Sequence, residues 1–372
     1  MRKILFWTHL IFGSTAAIVI LTMCVTGVLL MYERQVLAWA DSGIRSTPAG
    51  SRLQPETLIG RIQEQTGAAT SSLTVYADPT APAETGAGRE LKYVDVYSGR
   101  VMGEGSQGIR RFFRTVTDLH RWLTLEGPLR QLGRNLTGAA NLVFLGLAMS
   151  GMYLWLPRKW SWPNVRAVLL FRGGLSSKAR DFNWHNVIGI WSAIPLVFVI
   201  LGALVISYPW ATDLVYRAAG ETPPARPSGP APAPPRQQPS APNYTGIDRA
   251  FEQAQSRVPE WQSITWRPGG KRISLAIAGS HRGRVDLKST LTVDRDTGEV
   301  IQHETYESFS RGRQWRLWLR FIHTGEALGV VGQTIAGLVS AGGAVLVWTG
   351  LALTWRRFRA WRRRDARQEV AV

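Results

Sequence analysis

A single cysteine in 372 residues, Cys24, leaves this chain no intrachain disulfide and gives no redox-compartment signal. Metal-binding spacings such as CxxC and HExxH are missing, as are a Walker loop, a nucleophile elbow and a flavin fingerprint. Acidic residues are scarce, 26 Asp and Glu against 44 Lys and Arg, for a net charge of +18. Charge of either sign is almost absent from four stretches: Ile4 to Tyr32, Leu136 to Leu156, Val187 to Trp210 and Gly329 to Trp355. Each reaches the ~20 residues that cross a hydrocarbon core of about 30 Å. In lipid such a stretch must be helical, because no water is there to satisfy its backbone.

The basic surplus suggests nucleic acid until its placement is considered. Arg2 and Lys3 open the chain, and Arg158, Lys159, Arg166, Arg172, Lys178 and Arg180 lie between the second and third stretches. Seven arginines from Arg356 to Arg367 follow the fourth. All fall on one side if the N-terminus is cytoplasmic, which is the positive-inside pattern. The surplus is therefore read as topology, with the lipid bilayer as its partner and no nucleic acid, since no groove-reading motif accompanies it. Met1-Arg2-Lys3 and Ala38-Trp39-Ala40 resemble the ends of a signal peptide, but the apolar run between them is too long for one. An uncleaved anchor is expected.

The resulting order is a first span (1–33), an external α+β domain (34–119), and a juxtamembrane helix with the second span (120–157). A cytoplasmic loop (158–183) and the third span (184–210) come next. A tether (211–246) with nine prolines between Thr222 and Pro242 leads to a second external α+β domain (247–312). A juxtamembrane helix with the fourth span (313–356) and a basic cytoplasmic tail (357–372) complete the chain. Helices are expected at Pro55 to Thr66 and Ile247 to Val258. Strands are expected at Leu73 to Tyr76, Leu91 to Tyr97, Ser263 to Arg267, Arg272 to Ala278, Lys288 to Val293 and Glu299 to Glu304.

An internal duplication underlies this order. Asp95-Val96-Tyr97-Ser98-Gly99-Arg100-Val101 has the plan of Asp294-Arg295-Asp296-Thr297-Gly298-Glu299-Val300, a hairpin whose Gly supplies the positive φ of the turn. Trp7-Thr8-His9 before Gly13 matches Trp184-His185 before Gly189, and each His stands 23 residues before a tyrosine, Tyr32 or Tyr208.

Four of the six histidines stand beside the spans. His9 and His185 sit at the starts of the first and third; His120 and His323 precede the second and fourth. Imidazole is costly near a bilayer and is seldom placed there without a partner. Paired histidines on facing helices are what a haem iron needs as axial ligands. A small residue one turn on, Gly13 or Gly189, would let a flat macrocycle approach. Arg121 and Arg320 flank the second pair and suit propionates. His281 and His303 have no such setting and read as surface residues. A literal GxGxxG at Gly103 to Gly108 lacks a surrounding βαβ unit and reads as a flexible joint.

The two V-D-x-x-[ST]-G-x-V hairpins, the His120-Arg121-Trp122 box and the repeated Trp-His starts resemble the PepSY-associated transmembrane family over nearly the whole chain except the tether. Within it the chain is similar to bacterial inner-membrane ferric-siderophore reductases. The resemblance implies a membrane α-helical fold of four duplicated transmembrane helices with two periplasmic PepSY-like α+β domains. It also implies two haem b groups, on His9/His185 and His120/His323. The implied activity is electron transfer to a periplasmic ferric siderophore, from a quinol or a cytoplasmic reductase. The alternative is a non-enzymatic anchor whose PepSY-like domains bind a peptide or a periplasmic protein.

Overall fold

The computed structural model describes residues 1–86, 91–157, 160–225 and 243–369, with side chains as far as residue 363. Arg158, Lys159, most of the proline tether and the side chains of Arg364 and Arg367 lie outside the described residues. The first half of the chain runs α1 (Arg2–Leu30), α2 (Glu33–Ala40) and α3 (Pro55–Thr66), then four strands. These are β1 (Leu73–Tyr76), β2 (Ala83–Thr85), β3 (Lys92–Val94) and β4 (Val101–Gly103), followed by α4 (Gln107–Trp122) and α5 (Arg130–Trp155). A connecting helix, α6 (Trp162–Leu169), separates the halves. The second half repeats the order: α7 (Ser177–Ser207), α8 (Pro209–Ala218), α9 (Ile247–Arg257), β5 (Ser263–Arg267), β6 (Arg272–Ala278), β7 (Lys288–Asp294) and β8 (Val300–Thr305). It closes with α10 (Arg311–His323) and α11 (Gly329–Glu369).

The chain divides into two compact units. One holds Met1–Tyr32, Phe113–Val215 and Arg316–Val372; the other holds Glu33–Phe112 and Tyr216–Trp315. The first is a bundle in which α1 and α7 each pack against both α5 and α11. All four helices are long and apolar enough to cross a membrane. Large apolar side chains point away from the bundle, Ile18 78% and Leu338 69% exposed, an arrangement suited to lipid and unsuited to water. Inside, small residues allow close approach. A Cβ on Gly343 would lie 2.8 Å from the Cys24 sulfur and 3.4 Å from Phe144 Cζ, so this glycine seats both at mid-bundle. The connecting helix α6 is tied to the spans by two indole N–H donors, Trp155 to the Val168 carbonyl and Trp191 to the Leu169 carbonyl.

The second unit departs from the expectation of two α+β domains. All eight strands form one antiparallel sheet in the order β4-β3-β2-β1-β5-β6-β7-β8. The halves join where β1 pairs β5, from Leu73 opposite Trp266 to Tyr76 opposite Ser263. Each half alone would leave a four-stranded sheet with an open edge, and pairing the two edges satisfies both backbones. Helices α3 and α9 cover one face. Leu58, Ile59 and Ile62 of α3 and Ile247, Ala250, Phe251 and Ala254 of α9 bury against Leu73, Val75, Ile264, Trp266, Leu275 and Leu291. Strict alternation in β6 puts Ile273, Leu275 and Ile277 into this core and Ser274 and Ala276 outside.

Both repeated hairpins form with the same chemistry. Asp95 accepts from the backbone N–H groups of Tyr97 and Ser98, and Asp294 from those of Asp296 and Thr297, all at 2.8 to 3.0 Å. Gly99 and Gly298 take φ of 71° and 76°. Strand β2 has no counterpart in the sequence expectations, since Ala-Glu-Thr carries no alternating apolar signal.

Candidate functional site

Helices α1 and α7 place His9 and His185 toward one another near their N-terminal ends, with ring centroids 6.4 Å apart and planes at 82°. The C-terminal turns of α4 and α10 do the same for His120 and His323, at 6.3 Å and 41°. The duplication therefore produces two pairs, each taking one imidazole from either half. His9 and Thr26, which contacts His120, are 17 residues apart on α1, about 25 Å at 1.5 Å per residue. The two pairs thus occupy opposite ends of the bundle.

Every one of these imidazoles is held through Nδ1. His9 Nδ1 lies 2.9 Å from Ser150 Oγ, His185 Nδ1 2.9 Å from Thr349 Oγ1 and His120 Nδ1 2.8 Å from Thr26 Oγ1. His323 Nδ1 lies 2.9 Å from the Val199 carbonyl. Glycines border the rings, though not those expected. Gly13 and Gly189 face Leu147 and Leu346 on neighbouring helices. The glycines against the imidazoles are Gly151 beside His9, Gly350 beside His185 and Gly27 beside His120, where a Cβ would stand 3.5 to 3.7 Å from Cε1. At Gly202 a Cβ would come 2.7 Å from His323 Cβ and 2.4 Å from the Leu319 carbonyl oxygen, so α10 presses directly on the α7 backbone.

These partners were missed in the sequence because a lone Ser or Thr in a span looks like any tolerated hydroxyl. The available signal was a repeated Ser/Thr-Gly dipeptide: Thr26-Gly27, Ser150-Gly151 and Thr349-Gly350.

Cations gather at both ends of the bundle. Beside His120, the guanidinium of Arg121 lies 4.5 Å and that of Arg130 3.7 Å from the Trp122 ring centre. Loss of solvent, then the charges of Arg134, Arg130 and Arg320, hold Arg121 below its ordinary value, and Asp118 opposes them. Arg121 and Arg320 are thus brought into one cluster. Near His9, Arg357 stands over the rings of Trp7 and Phe6 at 4.7 and 5.1 Å. Arg2 donates to the Leu154 and Leu156 carbonyls. Asp181, nearly fully buried at the start of α7, binds Arg180 at 2.9 Å and Arg356 at 2.5 Å.

Two smaller expectations change. His281 is exposed, but His303 is half-buried on β8 opposite the core residue Leu291, and its Nε2 is sealed from solvent without a hydrogen-bond partner. The Gly103–Gly108 joint is tied down by Asp41, which accepts from the Ser106 backbone N–H at 2.7 Å and from the Tyr93 hydroxyl at 3.0 Å, and pairs with Arg110.

Fold and site together define a multi-pass helical membrane protein with a histidine pair at each end of its bundle and a second, separate sheet unit. The chain belongs to the family of the PepSY-associated TM region, which matches residues 6–357. No curated protein matches it.

Proposed function

We propose that this protein is a dihaem reductase of the bacterial inner membrane that passes electrons across the bilayer to a ferric siderophore in the periplasm. The observation that carries this reading is the spacing of the histidine pairs. Two imidazoles that share one metal at bonds of about 2 Å, each with half a ring beyond, could have ring centres up to roughly 6 Å apart. The measured separations are 6.4 and 6.3 Å. His9 and His185 would hold one haem b and His120 and His323 the other, each group supplying reversible one-electron Fe(III)/Fe(II) chemistry that no side chain here can supply.

The remaining work falls to the chain itself. The apolar mid-bundle, with Ile20, Cys24, Phe144 and Leu196, separates the two centres and keeps water out. Arg121 and Arg320 neutralise propionates at the α4–α10 end, while Arg357 and Arg2 add positive charge at the other. The arginine distribution supports a cytoplasmic N- and C-terminus; in that orientation the His9/His185 pair would face a quinol or cytoplasmic donor and the His120/His323 pair the periplasm. One electron delivered there reduces one Fe(III) chelate, and the Fe(II) product is held less tightly by hard oxygen ligands.

A visible spectrum and haem stoichiometry of the purified protein test this. Two haem b per chain are expected, falling to one in His9→Ala or His185→Ala, with the other centre retained, and likewise in His120→Ala or His323→Ala. A colourless wild-type protein, or four variants with full haem content, sinks the assignment and favours the anchored binding module.

A further inference from the structure

Each hydroxyl partner of an imidazole has a backbone carbonyl in reach to take its single hydrogen. Thr349 Oγ1 donates to the Val345 carbonyl at 2.7 Å and Ser150 Oγ to the Leu147 carbonyl at 3.2 Å. Thr26 Oγ1 donates to the Thr22 carbonyl one turn back. With the hydrogen so engaged, each oxygen accepts from the imidazole it faces. The Val199 carbonyl facing His323 can only accept as well. All four rings consequently carry their proton on Nδ1, which leaves the lone pair on Nε2 available to bind a metal.

The four partners are not equal. His9 and His185 both donate to hydroxyls. In the other pair, His120 donates to a hydroxyl and His323 to a backbone carbonyl. The break in symmetry has a visible cause. Where α1 carries Thr26-Gly27, the same register on α7 carries Gly202-Ala203 and offers no hydroxyl. With Gly202 bare, α10 approaches closely enough for His323 to reach the α7 main chain instead.

We propose that Thr26, Ser150 and Thr349 are positioning residues that set the electron affinity of the two metal centres separately, Ser150 and Thr349 acting on one and Thr26 on the other. This rests on the haem reading above. An Nδ1–H that donates a hydrogen bond enriches Nε2 in electron density, which favours Fe(III) and lowers the reduction potential. Removing the acceptor moves the potential of that centre upward and leaves its twin unchanged. The hydroxyl acts through the imidazole and touches neither iron nor substrate.

The test is a spectroscopic redox titration of the full-length, haem-loaded protein. Thr349→Val is expected to raise the potential of the His9/His185 centre alone, and Thr26→Val that of the His120/His323 centre alone. Each shift should correspond to roughly a tenfold change in the Fe(III)/Fe(II) equilibrium, the order by which such partners alter metal affinity. Thr26→Ser and Thr349→Ser, which keep the acceptor, should restore the wild-type value. If a Val variant instead loses haem from its own pair and the Ser variant regains it, the positioning role still stands. Two haems with both potentials unmoved overturns it, as does a shift of both centres together or a failure of Ser to rescue. A wild-type protein that binds no haem fails the underlying reading before any variant is made, so the two failures are told apart.

Discussion

Asp41 shows how much one side chain contributes to the sheet unit. It follows α2 directly, is nearly fully buried, and joins three distant parts of the sequence: the Ser106 N–H, the Tyr93 hydroxyl and the Arg110 guanidinium. Burial alone would raise its pKa, but the hydrogen bonds from Ser106 and Tyr93 and the charge of Arg110 outweigh burial and hold it below the ordinary carboxylate range. A group with a depressed folded-state pKa stabilises the fold above its unfolded value of ~3.9, and that contribution disappears as pH falls through the folded value. Protection of the β3 and β4 amides, after correction for the intrinsic pH dependence of hydrogen exchange, should therefore fall below about pH 4. Asp41→Asn should lower that protection already at pH 7, by a loss on the order of 3 kcal/mol, because Arg110 is left buried beside a neutral amide. An Asn variant with wild-type exchange at pH 7 would show the network to be dispensable. Nothing around Trp39-Ala40-Asp41 in the sequence signals this role, since the partners lie 52, 65 and 69 residues away. The histidines could be read because the duplication displayed each twice; Asp41 occurs in one half only.

At the scale of elements, legibility follows the range of the interaction. The four spans are visible as charge-free runs, and β6 as an alternation, because both patterns are local. The join of β1 to β5 is invisible, since it pairs Leu73 with Trp266 across a stretch that contains α5 and α7, and depends on two edges meeting. Close helix contacts are hidden for the same reason, and the glycines record them. Gly202 and Gly189 lie on α7 with opposite demands. An Ala at Gly202 would drive its methyl into the Leu319 carbonyl oxygen, a backbone atom that cannot swing aside, whereas at Gly189 it would meet Leu346 Cδ2 at an ordinary 3.6 Å. Gly202→Ala should cost roughly 1–3 kcal/mol of overpacking. It should displace α10 and lower haem content at the His120/His323 pair while sparing the other. Gly189→Ala should leave haem content and thermal stability near wild type. Equal behaviour of the two variants, read by haem content and melting temperature, would mean that the α7–α10 approach does not position His323.

Over the whole molecule, the distribution of charge matters more than its sum. A net +18 would be a poor guide to function if it were spread evenly, but it gathers at the ends of the bundle. At the α4–α10 end, Arg121, Arg130, Arg134 and Arg320 lie near one another and near His120, with Asp118 as the acid acting on Arg121. Two propionates would neutralise only part of this charge. The remainder would attract an anionic electron acceptor and repel a cationic one, an effect that raises encounter rates by roughly ten- to a thousandfold where such fields are focused. Ions screen it beyond about 10 Å at 0.1 M salt. The dithionite-reduced protein should therefore reduce a negatively charged Fe(III) chelate faster than a positively charged one of similar potential. Raising the salt concentration should slow the first reaction and speed the second. Arg130→Gln with Arg134→Gln should flatten both salt dependences while leaving haem content at wild type, because these two arginines are outside the set assigned to propionates. Rates that do not depend on the sign of the chelate, or a salt response unchanged in the double variant, would assign the cluster to lipid phosphates and leave the choice of acceptor to other parts of the chain.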